Sequence, residues 1–531
     1  MKKNIVDRMI EPFAPQAALR RAKARAHLHA IDVVNRGYSR HGASTRKKSM
    51  VGWDSTAGSP DEDITDNLGK LRERSRDLFM GSPLATGALK RIRTNVVGSG
   101  LVLNSQIDYG FLGMTPEEAM VWEANTEREF ALWSDTQECD ASRMMTFGQM
   151  QSLVLISALM NGDAFAALPV VKRAGSIYDL RVLLIEADRI CNPSIVPQGK
   201  DIKQGVEVDK FGAPVKYYIA KKHPGSTSVL IKKDVQPVAV FGNKSGRRNI
   251  LHIYQDLERI GQRRGAPLLS PVIETLKQLT RYTEAELMAS VVAGMFTVFV
   301  KTPYPEQPLA NSIPVADRVD DEDFNSYEMG NGAIVGLGEG EDVEIANPGR
   351  PNTAFDGFVM SLCRWIGVAL ELPFELLVQH FTSSYSASRA ALLEAWKMFR
   401  MRRKWLTQQF CQPIYEEWLA EAVAKGRINA PGFFSDPAIR AAWSGAEWYG
   451  PSQGQLNPLM EANAAKVRIQ EELSTREREA AEITGESWEK IHPKRVLEED
   501  ARRRDGTDMG LKKQEAKEGE AQGVSTGGDA T

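Results

Sequence analysis

Apolar positions recur every three or four residues over most of this chain, and every second residue over one central block. The first spacing puts apolar groups on one face of a helix, the second on one face of a strand. Leu68, Leu71, Leu78, Leu84, Ala88 and Ile92 mark helical faces on either side of a break at Gly81-Ser82-Pro83. Pro83 after Ser82 predicts a fresh helix start. GSGLVLNSQID then alternates like a strand. TPEEAMVWEANTEREFALWSD is predicted helical, capped by Thr115 and opened by Pro116, and TFGQMQSLVLISALMNGDAF makes another helix. Residues 164–255 change to short β-type runs: AFAALPVV, YDLRVLLIEADRI, GVEVDKFGAPVKYYIAKK and RRNILHIYQD. DKFGAP, between two alternating runs, predicts a hairpin turn.

The helical spacing returns at Ser270-Pro271, carried by Ile273, Leu276, Leu279, Leu287, Val291 and Met295. TVFVKTP, the acidic DRVDDEDFNSYEMGNG and AIVGLGEGEDVEIA form a small α/β insert over 297–347. A helix at AFDGFVMSLCRWIGVAL comes next, then the polar stretch HFTSSYSASR. The longest helical pattern runs from Ser388 to about Ala424, with Leu392, Trp396, Phe399, Leu406, Phe410, Ile414 and Trp418 on one face. Pro413 is expected to kink it. A shorter helical region spans about 431–482, with Trp443 and Trp448 near its start. The last forty or so residues are charged, Gly-rich and poor in apolar groups, which predicts disorder. The fold class is α+β, without internal repeats.

Length and charge refine this picture. At 531 residues the chain exceeds what a single core holds, so three or more substructures are expected. A net charge of −2 argues against a global basic field for nucleic acid. Residues 1–50 are the exception: twelve Lys and Arg face Asp7, Glu11 and Asp32. This basic arm, with an amphipathic helix around Ala14–Val33, is expected to be peripheral. Cys139, Cys191, Cys363 and Cys411 lie far apart, without a CxxC pair, so zinc and redox motifs are not expected. Reduced thiols fit cytosolic assembly. No apolar run is long enough to span a bilayer, and the N-terminus lacks the apolar segment of a secretory leader.

Candidate chemistry is sparse. No G-x-x-x-x-G-K-[ST] loop occurs, which argues against an ATP-driven motor. GLGEGE leads into a strand-like run and carries its own carboxylates, so it reads as a turn rather than a phosphate loop. Asp320, Asp321, Glu322 and Asp323 lack EF-hand spacing and read as an exposed interaction surface; no metal or other cofactor is expected. His252 lies in an apolar strand and reads as packed. HFTSSYSASR offers His380 and Ser384 at i, i+4, or Ser386, to a serine hydrolase. No nucleophile elbow surrounds it, and its Ser/Thr density predicts a loop that caps the next helix with Ser386 or Ser388. Lys397, Arg400, Arg402, Arg403 and Lys404 crowd one helical segment and are candidate phosphate or subunit contacts. A further alternative is a DNA-binding protein that uses the basic arm.

The phrases SRDLFMGSPLATGALKRIRTNVVGSGL, LIEADRI, GVEVDKFGAPVKYYI, ERIGQRRGAPLLSPVIETLKQLTRYTEAELMASVVAGMFTVFVK and NPGRPNTAFDGFVMSLCRWIGVALELPFELLVQHFTSSYSASRAALLEAW, in this order, resemble the lambda-type portal proteins of tailed phages. The resemblance covers about Asp66 to Gly426. It implies a non-enzymatic ring, dodecameric in mature particles, at one capsid vertex, assembled in the bacterial host cytoplasm. Double-stranded DNA passes through it without sequence specificity. The implied architecture is a wing at 61–265, stem helices at 268–296 and 353–370, and a clip at 297–352. A tunnel loop at 379–387, a long wing helix at 388–424 and a crown at 430–485 follow. The 1–60 arm and 486–531 tail match no family pattern. The resemblance points His380, Phe381, Thr382, Ser383, Ser384, Tyr385 and Ser386 toward DNA, and the acidic 320–323 segment toward basic partners. Implied partners are the terminase large subunit, major capsid and scaffold proteins, and head-completion or tail connector proteins, with no membrane.

Overall fold

Local chemistry sets the helix boundaries in a computed structural model. It describes residues 60–226, 234–254, 258–294, 300–301, 336–337, 354–381, 384–454, 458–485 and 488–505, and parts of 14–24 and 48–59. The chain divides into two units, Met1–Ser59 and Pro60–Thr531. Within the first, helix is described among residues 15–24.

In the second unit, α1 (Leu68–Gly81) and α2 (Pro83–Val96) meet at Ser82, whose extended backbone breaks the helix where the sequence places the break. Helix α3 (Pro116–Ser134) opens on a reciprocal cap. Glu118 N donates to Thr115 Oγ1 (3.3 Å), and Thr115 N donates to Glu118 Oε2 (2.9 Å). Thr146 and Gln149 repeat the device at α4 (Phe147–Asn161).

The β block makes two sheets. Strand β2 (Ala164–Ala167) lies between β3 (Leu183–Ile185) and β8 (Ile250–Ile253), antiparallel to both. Strands β4 (Asp201–Lys203), β5 (Val206–Val208), β6 (Pro214–Ala220) and β7 (Val235–Ala239) form an antiparallel meander. The β5–β6 turn is DKFGAP, as expected: Asp209 Oδ1 accepts from Phe211 N (2.8 Å) and Ala213 N (2.9 Å). A small core of Phe165, Ile190, Val206 and Tyr217 joins the two sheets. Strand β1 (Val102–Ser105) pairs antiparallel with β11 (Ala446–Tyr449). That strand interrupts the 431–482 region read as helical, because its partner lies at the far end of the chain.

Helix α5 (Ile273–Gly294), entered through a 3-10 turn at Ser270–Val272, lies against α6 (Phe355–Ala369). Tyr282 stacks on Phe355 (5.5 Å) and meets Phe358 edge-on (5.1 Å). Between these helices only a two-residue parallel pair is described, β9 (Val300–Lys301) with β10 (Gly336–Leu337). Asp320, Asp321, Glu322 and Asp323 fall outside the described residues. The short α7 (Phe374–Val378) precedes the long α8 (Tyr385–Leu406). A π-turn at Thr407–Cys411 then leads into α9 (Gln412–Ala424). That wide turn sits where Pro413 lacks an N–H and its ring would crowd the carbonyl four residues back. The apolar face foreseen for this helix is the centre of the main core. Phe130 packs edge-on against Phe147, Tyr415 and Trp418, with centroids 5.0 to 5.8 Å apart.

Past the core come α10 (Pro437–Trp443), α11 (Pro458–Gln470), α12 (Arg476–Thr484) and α13 (Trp488–Arg504). Helix α13 corrects the expectation of disorder from residue 486 onward. Trp488 stacks on His492 (4.3 Å), Arg495 pairs with Glu499 one turn on (3.0 Å), and α12 supports it.

Candidate DNA-facing loop and assembly surfaces

The α7–α8 loop hangs between two fixed points. Leu377 is buried, and Gln379 adopts a left-handed conformation (φ 58°) that turns the chain away from α7. His380 and Phe381 are exposed; Thr382 and Ser383 fall outside the described residues. Ser384 is extended, and its Oγ accepts from Ala387 N (3.4 Å). The cap is therefore Ser384, not Ser386 or Ser388. The loop is shorter than the 379–387 expected, and Tyr385 and Ser386 belong to the first turn of α8. Ser384, Ser386 and Ser388 can each satisfy an orphan helix amide, and the helix starts at the earliest of these three. Ser384 thus serves as an exposed cap, and no hydrogen bond joins it to His380 among the described residues. Nucleophilic catalysis needs an activated serine beside a base, and no such pair is seen among the described residues of this loop.

The five cations of α8 separate into two sets. Lys397, Arg400 and Lys404 are exposed at i, i+3 and i+7, so they share a face. Lys397 pairs with Glu394 (2.6 Å) and Arg400 lies 3.6 Å from Glu482. Arg402 and Arg403 point inward, which corrects their reading as surface contacts. Arg402 is only 1 % exposed; it reaches Met398 Sδ (3.1 Å) and Glu371 (3.4 Å). Arg403 Nε donates to Val96 O (3.0 Å), and its Nη2 donates to Asn95 O (3.0 Å) and Pro451 O (2.8 Å). It neutralises the carbonyl end of α2, a favourable place for a cation. Burial lowers its pKa to about 10, so it stays charged.

A buried polar cluster lies in the region read as the wing, and its members were not foreseen as a group. Asp163, fully buried, accepts from Arg72 (2.8 Å), Arg264 (3.1 Å to Oδ1, with a second contact at Oδ2) and His252 (3.2 Å). The flanking guanidiniums hold the Asp163 carboxyl far below the usual carboxylate range, against the opposing effect of burial. Arg264 also donates to the carbonyls of Ala187, Ile190 and Gln204. Tyr217 lies 3.3 Å from His252 Nδ1, and the ring stacks on Phe165 (4.2 Å). A phenol donating to Nδ1 leaves Nε2–H for Asp163. Burial depresses the His252 pKa to about 4. The reading of His252 as a packed residue therefore agrees with its setting. Beside this cluster, ligand atoms of Glu186, Asp188 and His223 lie within 4.8 Å of one another. Arg76 already contacts both carboxylates, so a cation is in place. Gly162 and Gly265 cross so closely that a Cβ on Gly265 would lie 1.9 Å from Gly162 O. The segment entering α5 is thereby clamped to the end of α4.

Against known proteins, the family model described as phage portal protein, lambda family, matches residues 46–403. The chain belongs to that family. Among its relatives, the portal protein of Escherichia phage N15 is 24 % identical over 481 residues, covering 86 % of this chain and 89 % of the relative. Portal protein B of Escherichia phage lambda is 24 % identical over 477 residues, covering 86 % and 88 %. A solved neck of an empty gene transfer agent particle, computed with C6 symmetry, aligns at 12 % identity with a TM-score of 0.37. It covers 76 % of this chain and 99 % of that one. A native neck computed with C12 symmetry aligns at 11 % identity and a TM-score of 0.36, covering 78 % and 92 %. Portal proteins are structural rather than catalytic, so this portal chain is a virion component with a packaging and connector role. The hydrolase and basic-arm alternatives are not favoured. No helix among the described residues is long and apolar enough to cross a membrane.

Proposed function

We propose that this portal chain closes into a dodecameric ring at one capsid vertex, and that double-stranded DNA passes through its bore without sequence specificity. The observation that carries the reading is the α7–α8 loop, whose His380, Phe381 and Ser384 are exposed and whose sequence has no Lys, Arg, Asp or Glu, between the buried Leu377 and the capped start of α8. Moving duplex is slowed by every phosphate neutralised along its path. His380, Phe381, Thr382, Ser383 and Ser384 supply no permanent cation to grip it. Tyr385 and Ser386, in the first turn of α8, continue that fringe.

The remaining regions take supporting roles in the same reading. Residues 61–265 form the wing, α5 and α6 the stem, 297–352 the clip, and 388–424 the bulk of the long wing helix. The crown begins at 430 and extends through α13, past residue 485. The clip's acidic segment is proposed to receive basic partners, namely the terminase large subunit during packaging and head-completion or tail connector proteins afterwards. The wing faces the capsid and scaffold proteins. Lys397, Arg400 and Lys404 remain the candidate phosphate or subunit contacts on α8. Assembly takes place in the host cytoplasm. A head-to-tail interface whose rotation closes gives such a ring. The test is deletion of residues 380–383. Rings should still form while DNA packaging or retention falls; loss of ring assembly would make the loop structural and overturn its assignment.

A further inference from the structure

Helix α6 carries apolar side chains that stay exposed as well as ones that are buried. Its sequence, FDGFVMSLCRWIGVA, carries charge only at Asp356 and Arg364. One side buries Cys363 and Ile366 in the main core. Another side presents Phe358, Trp365 and Val368, which are 49 %, 77 % and 81 % exposed. Spacings of seven and three residues put these three on a single stripe. A helix that is apolar all round belongs to an interior, and this one has half of an interior.

The stripe amounts to on the order of 400 Å² of apolar surface, large for a patch that a lone soluble protein leaves bare. A standard interface takes about 800 Å² from each partner, with a core about 65 % apolar, so the stripe supplies most of one such core. DNA is a poor occupant, because Trp and Val offer a phosphate nothing and the adjoining charges are of both signs. A partner that comes and goes would repeatedly expose the stripe, whereas obligate interfaces between copies are the strongly apolar class.

Resting on the ring reading above, we infer that Phe358, Trp365 and Val368 of α6 are covered by a second copy of this chain, as one half of the head-to-tail contact. The stripe is one half only, since a heterologous contact joins two dissimilar faces. Trp365, large and rigid, is its anchor.

The experiment compares the full-length chain with the Trp365→Glu/Val368→Glu double variant and a Trp365→Phe control. Mass photometry reads assembly, and circular dichroism melting reads the fold. The wild type and Trp365→Phe should form closed rings. The double variant should keep its melting temperature within a few degrees and need at least tenfold more protein to assemble. A folded double variant that forms rings at the wild-type concentration overturns the inference and leaves the ring reading standing. A wild type that stays monomeric across salt conditions overturns the ring reading itself. A photo-crosslinker at position 365 gives an independent readout: adducts between copies support the contact, and adducts only to another protein refute it.

Discussion

His252 and His380 carry the same imidazole into opposite settings. His252 is buried between Phe165 and Tyr217, hydrogen-bonded to a carboxylate that two arginines also hold. His380 sits on an exposed loop that leads to a helix cap. The first region looks like an active site in composition and is a joint: Asp163 is fully buried and holds Arg72, Arg264 and His252. The second exposes His380 and Phe381 and is the surface proposed to meet DNA. In a conduit, the elaborate polar chemistry holds the frame, and the working surface is plain.

Asp163→Ala should be the most damaging change. It leaves Arg72 and Arg264 buried without their carboxylate, and breaking a buried ion pair costs roughly 3–5 kcal/mol. Chemical denaturation of the variant should show that loss, or the protein should fail to fold soluble.

The joint should also weaken in mild acid. The folded His252 stays neutral down to about pH 4, while the unfolded chain takes up that proton near 6.5. In that window the unfolded state binds more protons, so stability falls as pH falls, by roughly 3 kcal/mol in all. His252→Gln should be less stable at neutral pH and lose that slope. Asp163 acts lower: its contribution is complete above about pH 4 and declines only below that. Melts between pH 7 and 4 separate the two.

Adjacent residues of α8 sharpen the comparison. Arg403→Ala removes hydrogen bonds to three backbone carbonyls and should cost about 2 kcal/mol. Lys404→Ala, one position on and exposed, should stay within about 0.5 kcal/mol. Equal effects in thermal melts would contradict the inward placement of Arg403. Between these two, Ser384→Ala should cost about 1 kcal/mol by removing the cap, and Phe381→Ala should leave the melt unchanged while lowering packaging yield.

What was readable in the sequence was local. The breaks at Pro83 and Pro116, the DKFGAP turn and the apolar face of α8–α9 depend on neighbours a few residues away, and they stand where expected. The pairing of β1 with β11 depends on a partner near the other end of the chain, so Ala446–Tyr449 read as part of a helical region. The edge strands β4 and β7 were missed for a different reason: their partners are close in sequence, but three residues in β4 and a proline inside VQPVA in β7 leave little alternation to read. The cations of α8 show the limit most clearly. Helical spacing puts five of them on one segment, yet only the end of α2 and the chain at Pro451 decide that Arg403 turns inward. The Asp163 cluster gathers residues from α1, the α4–β2 connection, β8 and the approach to α5, and no motif links them. The α7–α8 loop was legible as a polar connection, but its length was not, since Ser384, Ser386 and Ser388 are all competent caps.

The chain is proposed to form a closed ring whose bore is lined by the α7–α8 loop. Cryo-electron microscopy of the purified assembly tests it most directly. A closed ring with residues 379–384 of every copy facing the bore is the expected result. A monomer, an open oligomer, or a ring carrying those residues on its outer rim would contradict it.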